Sequence, residues 1–93
     1  MSATAPICLD GELTIYRAAE LKPLLLQWPA GEGAVEIDLF GVDEIDTAGV
    51  QLLLLARREA QALGRALRLV GSSRAVDDAL TLLNLHDQFG SAA

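Results

Sequence analysis

Cysteine, histidine and positive charge are all scarce in this 93-residue sequence. Its single cysteine, Cys8, excludes an intrachain disulfide and a zinc cluster built from several cysteines. Its 7 lysines and arginines are outnumbered by 13 acidic residues, which gives a net charge of −6. Nucleic-acid binding requires a basic surface, and anionic lipid repels an acidic one. We therefore expect neither nucleic acid nor a lipid surface as a partner.

Long hydrophobic runs are absent too. The longest uninterrupted apolar run, Leu52–Ala56, is far shorter than the ~20 residues that span a bilayer. Residues 1–6 contain no basic segment followed by a hydrophobic one, so nothing marks the N-terminus for export. We therefore expect a cytoplasmic protein with no segment inserted directly into a membrane.

The motifs of common enzyme families are also missing. The sequence has no GxxxxGK(S/T) phosphate loop, no GxGxxG after a strand, no HExxH and no GxSxG. The only histidine, His86, lies near the chain end and is interpreted as a surface or helix-end residue. Asp43, Glu44 and Asp46 cluster, but they match no calcium-loop spacing, and a solvated loop before a helix explains them. We therefore predict a non-enzymatic protein with no cofactor and no metal site.

Apolar residues, by contrast, are plentiful. They make up 52% of the chain against 22% charged residues, which is enough to fill one core and excludes a disordered tail. Domains typically run about 100–200 residues, so we expect residues 1–93 to form a single domain.

Strand-like alternation of apolar and polar residues occurs in three segments. Residues 7–15 alternate around Asp10-Gly11, a strong tight-turn signal, and therefore predict a β-hairpin. Its inward side chains are expected to be Ile7, Leu9, Leu13 and Ile15. Residues 34–40 and 66–70 alternate in the same way, which predicts a sheet with one packed face and one wet face.

Helical periodicity covers three other segments. The first is residues 16–28, which contain Pro23, and the last runs from an N-cap at Ser72 or Ser73 to Asn84. A short tail, residues 85–89, is expected to pack its apolar ends on the fold. The element order is thus β-β-α-β-α-β-α, an α/β fold with a mixed β-sheet and helices packed on one face through right-handed crossovers.

The middle helix, residues 47–63, is the most apolar segment of the chain. A helical wheel assigns Leu52, Leu55, Ala56, Ala60 and Leu63 to its buried arc. It leaves Val50 and Leu54 on the opposite side, among arginines and a glutamine. Those two side chains are therefore expected to be exposed.

The junction before this helix carries the strongest candidate for function. It joins a strand to a helix N-terminus, where backbone N–H groups are unpaired and the dipole end is positive. A phosphate on an exposed Thr47 hydroxyl would bring about −1.5 to −2 charges beside Asp46. Ala48 and Gly49 keep the first turn free of large side chains, so its backbone can be approached closely. From the residues alone, Asp46 or Thr47 acting merely as a helix cap explains the junction more simply.

The same junction resembles the STAS family, the domain of bacterial anti-sigma factor antagonists and of sulfate-transporter tails. That family has an alternating strand, an Asp-(Ser/Thr)-(Ser/Ala)-Gly turn and a leucine-rich helix. Here these correspond to residues 35–39, to Asp46-Thr47-Ala48-Gly49 and to residues 50–55. Residues 64–69 and 72–85 match the next strand and helix, so the resemblance covers nearly the whole chain and implies a STAS-like domain.

The resemblance implies a partner-switching module. In antagonists of this type a cognate kinase/anti-sigma factor phosphorylates the hydroxyl of the motif, and phosphorylation releases the partner. Carried over, Thr47 would be the phosphoacceptor, and Asp46 would orient it or contact the kinase. Gly49, Val50 and Leu54 would lie on the partner-binding surface. The implied partner is an anti-sigma factor with serine/threonine kinase activity or a chemosensory protein.

A second interpretation of the resemblance remains open. The sequence of residues 46–54 is similar to the corresponding segment of stand-alone STAS proteins from chemosensory gene clusters. A similar Thr-Ala form occurs in the cytoplasmic STAS subunit of bacterial phospholipid-transport ABC systems. In that case the protein would be a constitutive subunit bound to an ABC-transporter ATPase, with Thr47 simply part of the contact.

Overall fold

The computed structural model describes residues 6–28, 31 and 33–91. Its elements are β1 (Ile7–Leu13), α1 (Ala18–Leu26), β2 (Val35–Ile45), α2 (Thr47–Ala62), β3 (Leu67–Ser72), α3 (Arg74–Leu82), a 3₁₀ turn (His86–Gln88) and β4 (Gly90–Ser91). The strands form one sheet in the order β1-β2-β3-β4, and all three pairings are parallel. The predicted α/β class is confirmed.

The helices pack on one face of this sheet, as predicted. Along β2, Val35, Ile37 and Leu39 are buried, whereas the alternating Glu36 and Asp38 remain partly exposed. The buried side chains of α1 and α3 belong to the same core cluster as these three β2 residues. The buried residues of α2 also belong to it, except for Gly49 and Val50. Because the strands follow one another across the sheet, crossovers of one hand place every helix on the same side.

The predicted β-hairpin at the start of the chain is wrong, and so is the mixed sheet that it implied. Ile7–Leu13 is one strand, paired with β2 in parallel. Its register shifts on both sides of Asp10 and Gly11, and Gly11 has a φ of 72°. The Arg17 guanidinium holds this bulge by donating to the carbonyl oxygens of Asp10 (2.7 Å) and Glu12 (2.9 Å). An Asp-Gly pair supplies the positive φ that either a turn or a bulge requires, so the local signal does not separate them.

The first helix is shorter than its periodicity predicts, Ala18–Leu26 instead of residues 16–28. Leu21 and Leu25 are buried, as expected from the spacing. Pro23 lies inside α1 on its exposed side, where it removes one backbone hydrogen bond from the helix.

The buried arc of α2 is rotated relative to the prediction. Leu53 is fully buried and Val50 is only 4% exposed, whereas Leu63, the C-cap residue, is 64% exposed. The expected exposure of Val50 is therefore wrong. Leu54 is half-buried and packs against the core. Three other members of the predicted arc are buried as expected: Leu52, Ala56 and Ala60.

The last helix and the tail follow the sequence prediction closely. The Ser73 hydroxyl caps α3 by accepting a hydrogen bond from the Val76 N–H (3.2 Å), and Asn84 ends the segment with a φ of 56°. Leu85 and Phe89, the apolar ends of the tail, both pack on the core.

Candidate partner-binding site

Asp46 links two segments that are distant in the sequence. It follows β2 directly and is the N-cap of α2, with an extended backbone. One carboxylate oxygen accepts the Gly49 N–H (3.0 Å) and the other accepts the Ile15 N–H (3.0 Å). The capping role considered for Asp46 is thus observed, and the same carboxylate also fixes the loop between β1 and α1.

These hydrogen bonds also determine the charge of the site. The Ile15 N–H, more than any other group, lowers the pKa of the Asp46 carboxyl below its ordinary value of 3.8. Desolvation acts in the opposite direction, and the N–H groups of Gly49 and Ala48 lower the pKa further. The carboxylate is therefore ionised at neutral pH, beside the positive end of the α2 dipole.

Gly49 is required by the packing of α2 against β1. A Cβ atom at this position would overlap the Leu13 carbonyl oxygen and would lie 2.9 Å from Cγ1 of Ile45. Gly49 is buried, so the close backbone approach that its lack of a side chain permits is made by this chain's own strand.

Thr47 is the first residue of α2 and is exposed. Within the described part of the chain its hydroxyl has no hydrogen-bond partner. Thr47, Gln51, Leu54 and Arg58 follow one another at helical spacing and form an outward stripe along α2. Thr47 and Leu54, two of the predicted site residues, therefore share one face, while Gly49 and Val50 lie buried beneath it.

Three residues of this stripe, Gln51, Leu54 and Arg58, also line a groove of about 500 Å³ between α1 and α2, here called the α1–α2 groove. Its lining residues are Ala18 and Lys22 of α1, and Ala48, Gln51, Leu52, Leu54, Leu55 and Arg58 of α2. The groove lining combines apolar side chains with two cationic ones, Lys22 and Arg58. It begins at Ala48, immediately after Thr47.

Two exposed apolar side chains near Asp46 were not predicted as site residues. Ile15 is 61% exposed and Tyr16 is 89% exposed, although alternation had placed Ile15 in the core. The strand ends at Leu13, and the following loop is held by the bond from Ile15 to Asp46, 31 positions away. No local sequence signal marks this end, because the partner that fixes the loop is distant in the chain.

Residues 6–28, 31 and 33–91 contain neither a metal-binding cluster nor a membrane-spanning helix. No group of three or more His, Cys, Asp or Glu side chains in these residues is placed to hold a metal ion. No helix in the same residues is long and apolar enough to cross a membrane.

Comparison with known proteins identifies the family. A protein-family model described as "Mlab, STAS domain" matches residues 2–90, a range that includes every helix of the fold and the whole candidate site. No curated protein matches the chain. STAS domains generally mediate protein–protein interactions and are generally non-enzymatic. Since the match extends over nearly the whole sequence, the chain belongs to the STAS domain family.

Proposed function

We propose that this protein is a non-enzymatic partner-binding module of the anti-sigma factor antagonist type, controlled by phosphorylation of Thr47. The observation that carries the proposal is the position of Thr47. It is exposed at the first position of α2, its hydroxyl has no partner in the described part of the chain, and it follows the ionised Asp46. A kinase can reach such a hydroxyl without unfolding the core.

The structure suggests how a phosphate would act at this position. It would add about −1.5 to −2 charges. The Gly49 N–H, which would otherwise be available to an anion at the start of α2, already donates to Asp46. The phosphate would therefore add its charge to that of Asp46 on the outside of the helix. The result is a strongly negative surface in place of a neutral hydroxyl.

The proposed partner-binding surface consists of Asp46, Thr47 and Leu54 with the adjacent Ile15 and Tyr16. An aromatic side chain as exposed as Tyr16 is a typical anchor in protein interfaces of standard size, about 1,200–2,000 Å² in total.

Gly49 and Val50 are buried under this surface and hold the start of α2 in position. Gly49 allows α2 to contact β1, and Val50 is buried in the first turn. The partner is an anti-sigma factor with serine/threonine kinase activity or a chemosensory protein, in the cytoplasm.

The test compares variants of Thr47 in partner capture from the native host. Thr47→Asp should weaken binding, because it imitates part of the phosphate charge, whereas Thr47→Ala should preserve it. Gln61→Glu, which adds one negative charge at the exposed far end of α2, is the control and should bind as the wild type does. Intact-mass analysis with peptide mapping should show a phosphate (about +80 Da) on Thr47. Equal binding by the aspartate and alanine variants would contradict the proposal.

A second candidate is a constitutive subunit bound to the ATPase of a phospholipid-transport ABC complex. The Thr47-Ala48 form of the motif favours it, because a similar form occurs in the STAS subunit of such systems. Thr47 would then contact the ATPase without modification. Co-purification with membrane-complex components, tolerance of Thr47→Ser and absence of phosphate under growth and stress would support this candidate over the switch.

A further inference from the structure

We propose that the α1–α2 groove binds an acidic amphipathic helix of the protein partner. This inference rests on the proposed partner-binding function and specifies which part of the partner is recognised. Three properties of the groove carry it: the charge of its lining, the apolar side chains in that lining and its position relative to Thr47.

The groove lining includes two cations that form no ion pair in the described part of the chain. Lys22 lies on the α1 side and Arg58 on the α2 side, and no carboxylate lines the groove. In the described part of the chain neither forms an ion pair; the pairs observed there are Arg17–Glu20 and Arg68–Glu36. Acidic residues outnumber basic ones 13 to 7 in this chain. One cation from each helix lines the groove, and neither is paired in the described residues, so the charge of the lining favours an anionic occupant.

The apolar part of the groove lining fits apolar side chains presented at helical spacing. It consists of Leu52, Leu54 and Leu55 with the small side chains of Ala18 and Ala48, and the polar Gln51 also lines the groove. From Ala48 to Arg58 the groove extends about 15 Å along α2, at about 1.5 Å per residue, which matches about three turns of a second helix. An amphipathic helix would lay its apolar stripe on the leucines and present acidic flanks to the two cations.

An added strand is excluded as the occupant by the same geometry. Both walls of the groove are helices, whose interior N–H and C=O groups bond within the helix. A strand needs an open row of such groups to pair with.

The position of Thr47 connects the groove to the switch. Ala48 lines one end of the groove, and Thr47 is the preceding residue. A phosphate there would lie beside the bound acidic helix, within the ~10 Å over which charges interact at 0.1 M salt. Repulsion between the phosphate and the acidic flanks would release the partner without any rearrangement of the core.

The direct test uses two designed peptides and the full 93-residue chain. One 14-residue peptide, acetylated and amidated, carries leucine at i, i+3, i+4 and i+7 with flanking glutamates; the other carries lysine at each glutamate. The acidic peptide should bind, with NMR shift changes centred on the groove, and the basic peptide should bind about tenfold more weakly. Equal affinities, shift changes elsewhere, or no binding of the acidic peptide at about 1 mM would overturn the proposal.

A pair of charge-reversal variants supplies the matched control. Arg58→Glu changes a groove cation, whereas Arg74→Glu makes the same change of charge at an exposed position of α3. We expect Arg58→Glu to weaken the acidic peptide about tenfold and Arg74→Glu to change its affinity by less than about twofold. Similar losses in both variants would mean that only the net charge of the protein matters, and the groove proposal would fail.

The outcomes also separate this inference from the proposed function. If Thr47→Asp abolishes capture of the native partner while Arg58→Glu leaves it unchanged, the groove proposal fails and the switch stands. If Arg58→Glu abolishes capture while Thr47→Asp does not, the groove stands and the switch fails. Sedimentation of the protein alone tests the second copy as occupant: a dimer that Arg58→Glu dissociates would overturn the proposal.

Discussion

Replacing Gly49 by alanine should destabilise the protein, although the same change usually stabilises a helix. In an ordinary helix interior, Gly→Ala gains about 0.5–1 kcal/mol, because it reduces the entropy of the unfolded chain and adds helix propensity. At Gly49 the new Cβ would overlap the Leu13 carbonyl oxygen and approach Cγ1 of Ile45 to 2.9 Å. The Ile45 side chain can move aside. The Leu13 carbonyl cannot do so freely, because it belongs to β1 and accepts the Asp46 N–H (3.3 Å).

The net effect follows from these two opposing contributions. Forcing one extra carbon into a well-packed site costs about 1–3 kcal/mol, and a clash with backbone belongs near the upper end of that range. Subtracting the usual helix gain of about 0.5–1 kcal/mol from about 2–3 kcal/mol leaves a loss of about 1–2.5 kcal/mol in the free energy of unfolding. For a domain of this size, that loss corresponds to a decrease in Tm of about 4–20 °C.

The measurement is thermal and urea unfolding followed by circular dichroism, with Gly33→Ala as the control. A Cβ at Gly33 meets no atom within 4 Å, so that variant should unfold within about 0.5 kcal/mol of the wild type. Partner binding by Gly49→Ala should fall as well, since the start of α2 must move away from β1. A Tm for Gly49→Ala equal to or above that of the wild type would refute the close approach of α2 to β1.

Three further variants test the cap, the outward stripe and α1. The pKa of Asp46 is lowered in the folded state. Its carboxylate therefore stabilises the protein at a pH above 3.8, the ordinary pKa of the group, and this stabilisation is lost as the pH falls through the lowered pKa. The difference in unfolding free energy between wild type and Asp46→Asn should therefore shrink between pH 5 and pH 3 in urea titrations; a constant difference would contradict this. Leu54→Glu should weaken partner binding more than about tenfold, and it should lower the free energy of unfolding by about 1 kcal/mol because Leu54 is half-buried. Loss of cooperative melting in this variant would show that Leu54 is a core residue and would contradict the prediction. Pro23→Ala should raise the unfolding free energy by about 1–2 kcal/mol by restoring a helical hydrogen bond, as calorimetry would show; an unchanged Tm would contradict this.

The features that the sequence predicted correctly depend on local chemistry. Alternation located β2 and β3, and helical spacing located the three helices with the buried pair Leu21 and Leu25. Each capping residue was one of two adjacent candidates, Asp46 or Thr47 for α2 and Ser72 or Ser73 for α3, because short polar side chains lie directly before apolar helical patterns. Each of these signals is contained within about one turn of helix or one strand, so the rest of the fold is not needed to interpret it.

The errors concern features that depend on distant contacts. The β-hairpin over residues 7–15 was predicted wrongly because Asp10-Gly11 suits a bulge as well as a turn. Only the pairing with β2, about 30 residues away, decides between them. Val50 was placed on the exposed side because a helical wheel does not show how close the first turn of α2 lies to β1. The groove was not predicted for the same reason, since Lys22 and Arg58 line one groove only when α1 and α2 pack side by side.

The arrangement around Asp46 favours an electrostatic switch over a conformational one. Both carboxylate oxygens already accept backbone N–H groups, one from the loop before α1 and one from the first turn of α2. A phosphate on Thr47 would have to displace this carboxylate to dock on the Gly49 N–H, and it would then release the loop that carries Ile15. The Gly49 N–H already donates to one anion, and a second anion beside it would be repelled, so the phosphate is expected to point outward and leave the cap in place. The partner would then be released by charge added at the end of a cationic groove, while the packing of α2 on the sheet stays the same.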